Sequence, residues 1–172
     1  MRLKICTPQY RKAPPPAGVE KIVCAWEARV GPNIWRNRNE LMSLDSQYTH
    51  FLQWDQDIEA NAYQIQALLA HDVDIVSGAY LQRRSDGETS YCAGRDGRSI
   101  GINSRGCFPV EWVGAGFLLI SRHALESLDR PWFRHEMMDG DHTSEDVGFC
   151  MHARANGFAV YLDCDTIVKH HL

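Results

Sequence analysis

One short stretch constrains this chain more than any other: Tyr48 to Ile58, YTHFLQWDQDI. Tyr48, Phe51, Leu52 and Trp54 are aromatic or aliphatic with no turn former among them, so Tyr48 to Trp54 reads as a buried strand. The run stops abruptly at Asp55-Gln56-Asp57. On extended chain, side chains two apart project to the same side. Two carboxylates so placed repel each other unless a cation sits between them, and oxygen ligands suit Mg²⁺ or Mn²⁺. The same spacing also fits a plain strand that ends in a polar loop, with Asp57 capping the helix that follows. The rest of the chain bears on which reading holds.

At 172 residues the chain is long enough for a real core and is expected to form a single domain, 1–172. A net charge of −4 excludes a global basic field that would draw in nucleic acid or an anionic membrane. No apolar run approaches a membrane span, and MRLKICTPQY lacks the apolar core of a signal peptide, so a cytoplasmic location is expected. Cys6, Cys24, Cys92, Cys107, Cys150 and Cys164 include no CxxC pair and read as free thiols, several of them buried.

Along the chain, Leu3 to Cys6 is a short strand closed by Thr7-Pro8, and the proline-rich Arg11 to Gly18 cannot be helix. Val19 to Ala28 holds an apolar run read as a second strand. A helix follows Gly31-Pro32-Asn33, over Ile34 to Leu44. Beyond the Asp pair, Ile58, Ala62, Ile65, Leu68 and Leu69 recur at helical spacing. Val73 to Leu81 is a strand. Arg83 to Gly106, with five glycines, is a hairpin or mobile loop rather than core. Phe108 to Ser121 is strand-like, broken by Gly114 and Gly116; Arg122 to Leu128 is a short helix, and Pro131 to Thr143 a loop. Glu145 to Asn156 is a helix with Gly157 as its C-cap, and two strands close the chain, Phe158 to Leu162 and Thr166 to Val168. Alternating strands and helices followed by mixed strands predict an α/β sheet of mixed direction.

Two further clusters bear on chemistry. Thr143-Ser144-Glu145-Asp146 opens a helix; Thr143 as N-cap with Asp146 at the third position is a capping box, and acids there suit the helix dipole. A capped helix start is also a rigid place to hold a general base. His170 and His171 end the chain, as a frayed tail or with one imidazole returning to complete a metal shell. Carboxylates joined by an imidazole favour Mn²⁺ over Mg²⁺.

Taken in order, RNRNEL, FLQWDQD with its helix, DIVSGAYLQR, WVGAGFLLISRHALESL with PWF, SEDVGFCMHARANGFAVYLD and a terminal VKHH resemble the nucleotide-sugar glycosyltransferases of GT-A fold, of the small bacterial and phage type similar to glycosyltransferase family 2. The resemblance implies a mixed sheet flanked by helices, with an abbreviated N-terminal half. It implies that Asp55 and Asp57 form a DxD motif holding Mn²⁺ or Mg²⁺ together with His170, and that Asp55 also contacts the sugar nucleotide. It further implies that Thr7, Pro8, Arg38, Asn39, Trp112, Gly114 and Gly116 line the substrate site, and that Asp146, seconded by Glu145, is the base if transfer inverts configuration and positions substrate if transfer retains it. The implied partner is a UDP- or GDP-linked sugar donor. The acceptor, whether glycan, small molecule, protein or phage nucleic acid, is left open.

The departure from the pattern is at the start, where Arg11 to Gly18 is too short for the usual helix between the first two strands. Tyr10 there could stack on a base or cover the sheet edge, and the sheet edge is the preferred reading. Arg83, Arg84, Arg95, Arg98 and Arg105 face Asp86, Glu88 and Asp96 in one segment, which suits either a lid over a diphosphate or an ordinary solvated hairpin. Two other functions use the same residues: an idle GT-A-like module that binds sugar nucleotide or glycan, and a nucleotidyltransferase. The second requires a phosphate-gripping Gly-rich loop after the first strand, and PQYRKAPPPAG is unlike one.

Overall fold

A computed structural model describes residues 2–9, 12–19, 25–42, 47–82, 89–138 and 140–171. The chain runs β1 (Leu3–Gln9), β2 (Ala25–Val30), α1 (Ile34–Leu41), β3 (His50–Trp54), β4 (Ile58–Glu59), α2 (Ala62–Ala70) and β5 (Ile75–Ala79). It continues through β6 (Ser90–Arg95), β7 (Arg98–Gly101), β8 (Cys107–Val110), β9 (Trp112–Val113), β10 (Phe117–Ser121) and α3 (Arg122–Ser127). It closes with β11 (Met137–Met138), β12 (Asp141–His142), α4 (Glu145–Ala155), β13 (Val160–Ile167) and β14 (Lys169–His170).

A seven-stranded mixed sheet of order β2-β1-β3-β10-β5-β13-β8 is the frame. β10 runs antiparallel to both neighbours and β8 antiparallel to β13, while the remaining pairs are parallel. Residues of β5 and β10 are buried throughout because both faces of the sheet are covered. Phe51, Leu118, Ile120 and Leu162 face one core, with Leu125 of α3 and Phe149 of α4. Leu52, Trp54, Val76 and Leu119 face the other, with Ile65 and Leu68 of α2. Neighbouring residues of β3 thus enter opposite cores, as the two-residue period requires.

Several boundaries differ from the sequence expectations for physical reasons. β1 runs through Thr7-Pro8 to Gln9 instead of closing there. Gly31 N–H donates to Gln9 O at 2.9 Å on the β2 side, so the nitrogen of Pro8 faces the β3 side, where pairing has already ended at Cys6–Gln53. α2 does not begin at the Asp pair: its N-cap is Asn61, not Asp57, in a capping box with Gln64. The glycine-rich segment forms the hairpin β6–β7, turning at Asp96-Gly97 with both φ positive. That hairpin is not all surface, since Tyr91 and Ala93 are buried in a core. The two expected closing strands are one strand, β13, interrupted by a bulge. The readings that fall on Tyr10, Arg11, 20–24, Leu44, Arg83, Arg84, Asp86, Gly87 and Glu88 lie outside the described residues.

β1 lies between β2 and β3, and the chain passes from β1 to β2 on one side before returning through α1 to β3 on the other. Strand order reverses there. In open α/β sheets the crevice outside the carboxyl ends of the strands at such a point is where ligands bind.

Candidate active site

A cavity of about 260 Å³ opens at that point, lined by Pro8, Ile34, Arg38, Asp55, Gln56, Asp57 and Glu145. Pro8 closes the end of β1. Asp55 to Ile58 is a turn that begins as β3 ends, closed by Ile58 N–H donating to Asp55 O at 3.1 Å and anchored by Asp55 N–H donating to Gly116 O at 2.9 Å. Because the chain turns rather than extending, Asp55 and Asp57 do not act as a parallel pair. Asp55 faces Arg38, and Asp57 faces the C-terminal strand.

α1 presents three successive polar residues that do different work. Asn37 donates to Gln9 O at 3.3 Å and Gly31 O at 3.2 Å, pinning the helix to the end of β1. Arg38 is buried and donates through Nη2 to Asp55 Oδ2 at 2.9 Å, through Nη1 to Gln53 Oε1 and Ala115 O at 3.3 Å, and through Nε to Glu145 Oε1 at 3.3 Å. Only arginine offers a planar fork able to reach so many acceptors at once. Burial pushes the Asp55 carboxyl above its ordinary range against the pull of Arg38. Asp55 Oδ1 lies 2.9 Å from Nη1 as an ion-pair contact, and has no hydrogen-bond partner among the described residues. Asn39 donates to Trp35 O and Phe133 O and accepts from Phe133 N–H, bracing the 131–133 loop away from this cavity.

The terminal histidine does return to the sheet. β14 pairs antiparallel with β4, placing His170 opposite Ile58, and His171 N–H donates to Asp57 O at 2.8 Å. His170 Nδ1 lies 2.8 Å from Leu81 O; a carbonyl only accepts, so Nδ1 carries the proton. Nε2 then faces Asp57 Oδ2 at 3.4 Å, where either a shared proton or a cation reconciles two electron-rich atoms. Among the described residues no three His, Cys, Asp or Glu side chains converge as a closed cage. Asp57 Oδ2 and His170 Nε2 are the two groups here that could ligate a cation. The second carboxylate expected there, Asp55, is engaged by Arg38.

α4 delivers Glu145 to the cavity and sets Asp146 beside it. Ser144, not Thr143, is the N-cap, and no capping box forms. Thr143 Oγ1 accepts from Glu136 N–H at 3.0 Å, while the Ser144 hydroxyl and Val147 N–H both bond Asp146 Oδ1. Gly148 lets the first turn press on the preceding loop, since a Cβ there would lie 1.8 Å from Arg134 O.

Sequence reasoning missed Tyr80. Its buried hydroxyl accepts from Gly116 N–H at 2.9 Å, and its ring meets the His170 ring edge-on at 5.5 Å. A Cβ on Gly114 would lie 2.1 Å from that hydroxyl, so Gly114 and Gly116 serve Tyr80. Burial pushes the Tyr80 phenol well above its ordinary range and the Cys92 thiol up to about 12, so neither is an anion at neutral pH. Trp112 packs on Gly94, and Thr7 is buried, with Oγ1 accepting from Trp26 Nε1–H at 3.0 Å. The structure therefore gathers Pro8, Arg38, Asp55, Asp57 and Glu145 at the cavity, with His170 against Asp57. It does not bring Thr7, Asn39, Trp112, Gly114, Gly116 or Asp146 to the cavity wall, although Asp146 directly follows Glu145 there. The only sequence signal for Tyr80 was its place at the end of an apolar run.

No protein-family model matches the chain, and no curated protein matches it. Among solved structures 45 chains match. A197 from STIV is 19% identical over 94% of this chain and 81% of its own length, with a TM-score of 0.65. This likeness shows a shared mixed α/β fold. No helix among the described residues is long and apolar enough to cross a membrane.

Proposed function

We propose that this chain is a metal-dependent glycosyltransferase of GT-A type, moving a sugar from a nucleoside diphosphate to an acceptor hydroxyl. The observation that carries the reading is the convergence of Arg38, Asp55, Glu145 and Asp57 on one crevice at the carboxyl ends of β1 and β3, with His170 Nε2 behind Asp57, 3.4 Å from its Oδ2. The lining holds three carboxylates against one arginine, and Arg38 is already committed to two of them. A diphosphate approaching such a wall requires a cation, and Asp57 Oδ2 and His170 Nε2 are the groups able to hold it.

When bound, a divalent cation neutralises charge building on a departing diphosphate. The chain's own groups do the rest. Leu81 O fixes the His170 tautomer, so Nε2 is the nitrogen presented. Arg38 holds Asp55 and Glu145 as oriented acceptors for sugar hydroxyls. Asp146, at the rigid start of α4, takes the proton from the incoming hydroxyl, a step worth about 10²–10⁴-fold.

The test is thermal stability with UDP, GDP and their sugar conjugates, each with and without Mn²⁺. The expected result is stabilisation by a nucleotide only when Mn²⁺ is present, absent in D57A. Stabilisation equal without metal, or unchanged in D57A, overturns the reading. Mass spectrometry of products then separates sugar transfer from an idle donor-binding module.

A further inference from the structure

Asp163 is a buried carboxylate outside the cavity. Asp163 pairs with Gly78 of β5, and the next β5 residue, Ala79, pairs with Ile167. Residues 164–166 are therefore an insertion in β13 with no counterpart in β5. Asp163 Oδ1 accepts from Asp165 N–H at 2.9 Å and Thr166 N–H at 3.2 Å, both inside the insertion. Oδ2 lies 2.8 Å from His71 Nε2 at the end of α2. Gly78 makes room, since a Cβ there would lie 3.0 Å from Thr166 O.

An odd insertion reverses which face of the sheet later residues meet. Leu162 and Val168 are six apart, an even spacing that keeps one face on an unbroken strand. Here they enter opposite cores: Leu162 packs with Phe149 and Leu118, Val168 with Trp54 and Ile58. Beyond the bulge Val168 N–H donates to Ala79 O at 2.9 Å, and the next two residues pair with β4. The bulge thus sets both the face and the reach of the segment that carries His170.

We propose that Asp163 is a positioning residue: by holding the β13 bulge it brings the His170 imidazole to Leu81 O and Asp57. Its link to metal binding rests on the function proposed above. Its link to His170 does not.

The test is Mn²⁺ binding to the full chain, followed by electron paramagnetic resonance of the free ion, for wild type, D163A, D163N, H170A and the D163A/H170A double variant. D163A is expected to weaken Mn²⁺ by about tenfold or more, the usual loss for a group supporting a ligand. D163N, whose amide oxygen accepts the same two backbone N–H bonds, is expected to stay close to wild type. D163A/H170A should match H170A, because Asp163 acts through that imidazole. Unchanged binding in D163A, or its full loss repeated on the H170A background, overturns the proposal. Should wild type bind no Mn²⁺, the metal reading fails alone, and nitrogen NMR of His170 decides the positioning role. Wild type and D163N are expected to show the Nδ1-protonated ring, and D163A to lose that preference; an unchanged tautomer in D163A overturns the proposal. If D163A does not fold, D163S takes its place in both measurements.

Discussion

Arg38 and Asp55, from α1 and the end of β3, are joined by an Nη2–H bond to Oδ2 of 2.9 Å, and the same guanidinium reaches Glu145 on α4. The pair ties the first helix, the central strand and the start of the last helix into one wall of the cavity.

Removing Arg38 leaves two mostly buried carboxylates facing each other. R38A is expected to lose about 2–4 kcal/mol of stability, a figure reduced for the partial exposure of both acids. R38K should recover little, because a single ammonium cannot reach Asp55, Glu145 and Ala115 O together. Urea unfolding of the three proteins measures this.

D57A and H170A should keep the fold, since Asp57 is over a third exposed and His170 sits in the two-residue terminal strand β14, yet lose Mn²⁺-dependent nucleotide binding. Circular dichroism checks the fold and calorimetry the binding.

The two acids of α4 should separate in kinetics. D146N is expected to leave donor binding intact and lower kcat by about 10²–10⁴-fold. E145Q keeps an oxygen for Arg38 Nε–H, so its loss should appear mainly in KM for the donor. An active D146N would reassign the base to Glu145.

Asp163 carries a pH dependence of stability. Burial pushes its carboxyl up, but His71, Thr166 and the Asp165 and Thr166 N–H groups outweigh this and hold it below the usual range. A carboxyl with a depressed folded pKa contributes stability above its unfolded value, near about 4, and loses it as pH falls through the folded value. D163N should therefore be less stable than wild type at neutral pH, with the gap narrowing in acid below about pH 4. Urea midpoints across that range give the slope.

Gly114→Ala should cost about 1–3 kcal/mol, because its Cβ would overlap the buried Tyr80 hydroxyl and Cys92 Sγ. Thermal unfolding reads the loss, and the His170 ring, packed against Tyr80, should shift in proton NMR.

Much of the frame was legible in the residues. The apolar run before Asp55 is β3, the helical spacing of Ile65 and Leu68 is α2, and the acids of Glu145-Asp146 open α4. Local signals misled where a distant partner decided the outcome. Pro8 sits within β1 because the β3 ladder stops short of it. Thr143 is no cap because Glu136 N–H, seven residues earlier, takes its hydroxyl.

By itself the sequence determined the long strands and helices, since periodicity and turn chemistry act over a few residues; the two-residue strands β4, β11, β12 and β14 left no such signal, so Pro131 to Thr143 read as plain loop and Ile58 as helix. It also placed Asp55, Asp57 and Glu145 at element ends. Only the tertiary structure decided that Asp55 belongs to Arg38 and Asp57 to His170. Those pairings follow from the order of strands in the sheet and from an odd insertion in β13, and neither leaves a periodic trace in the chain.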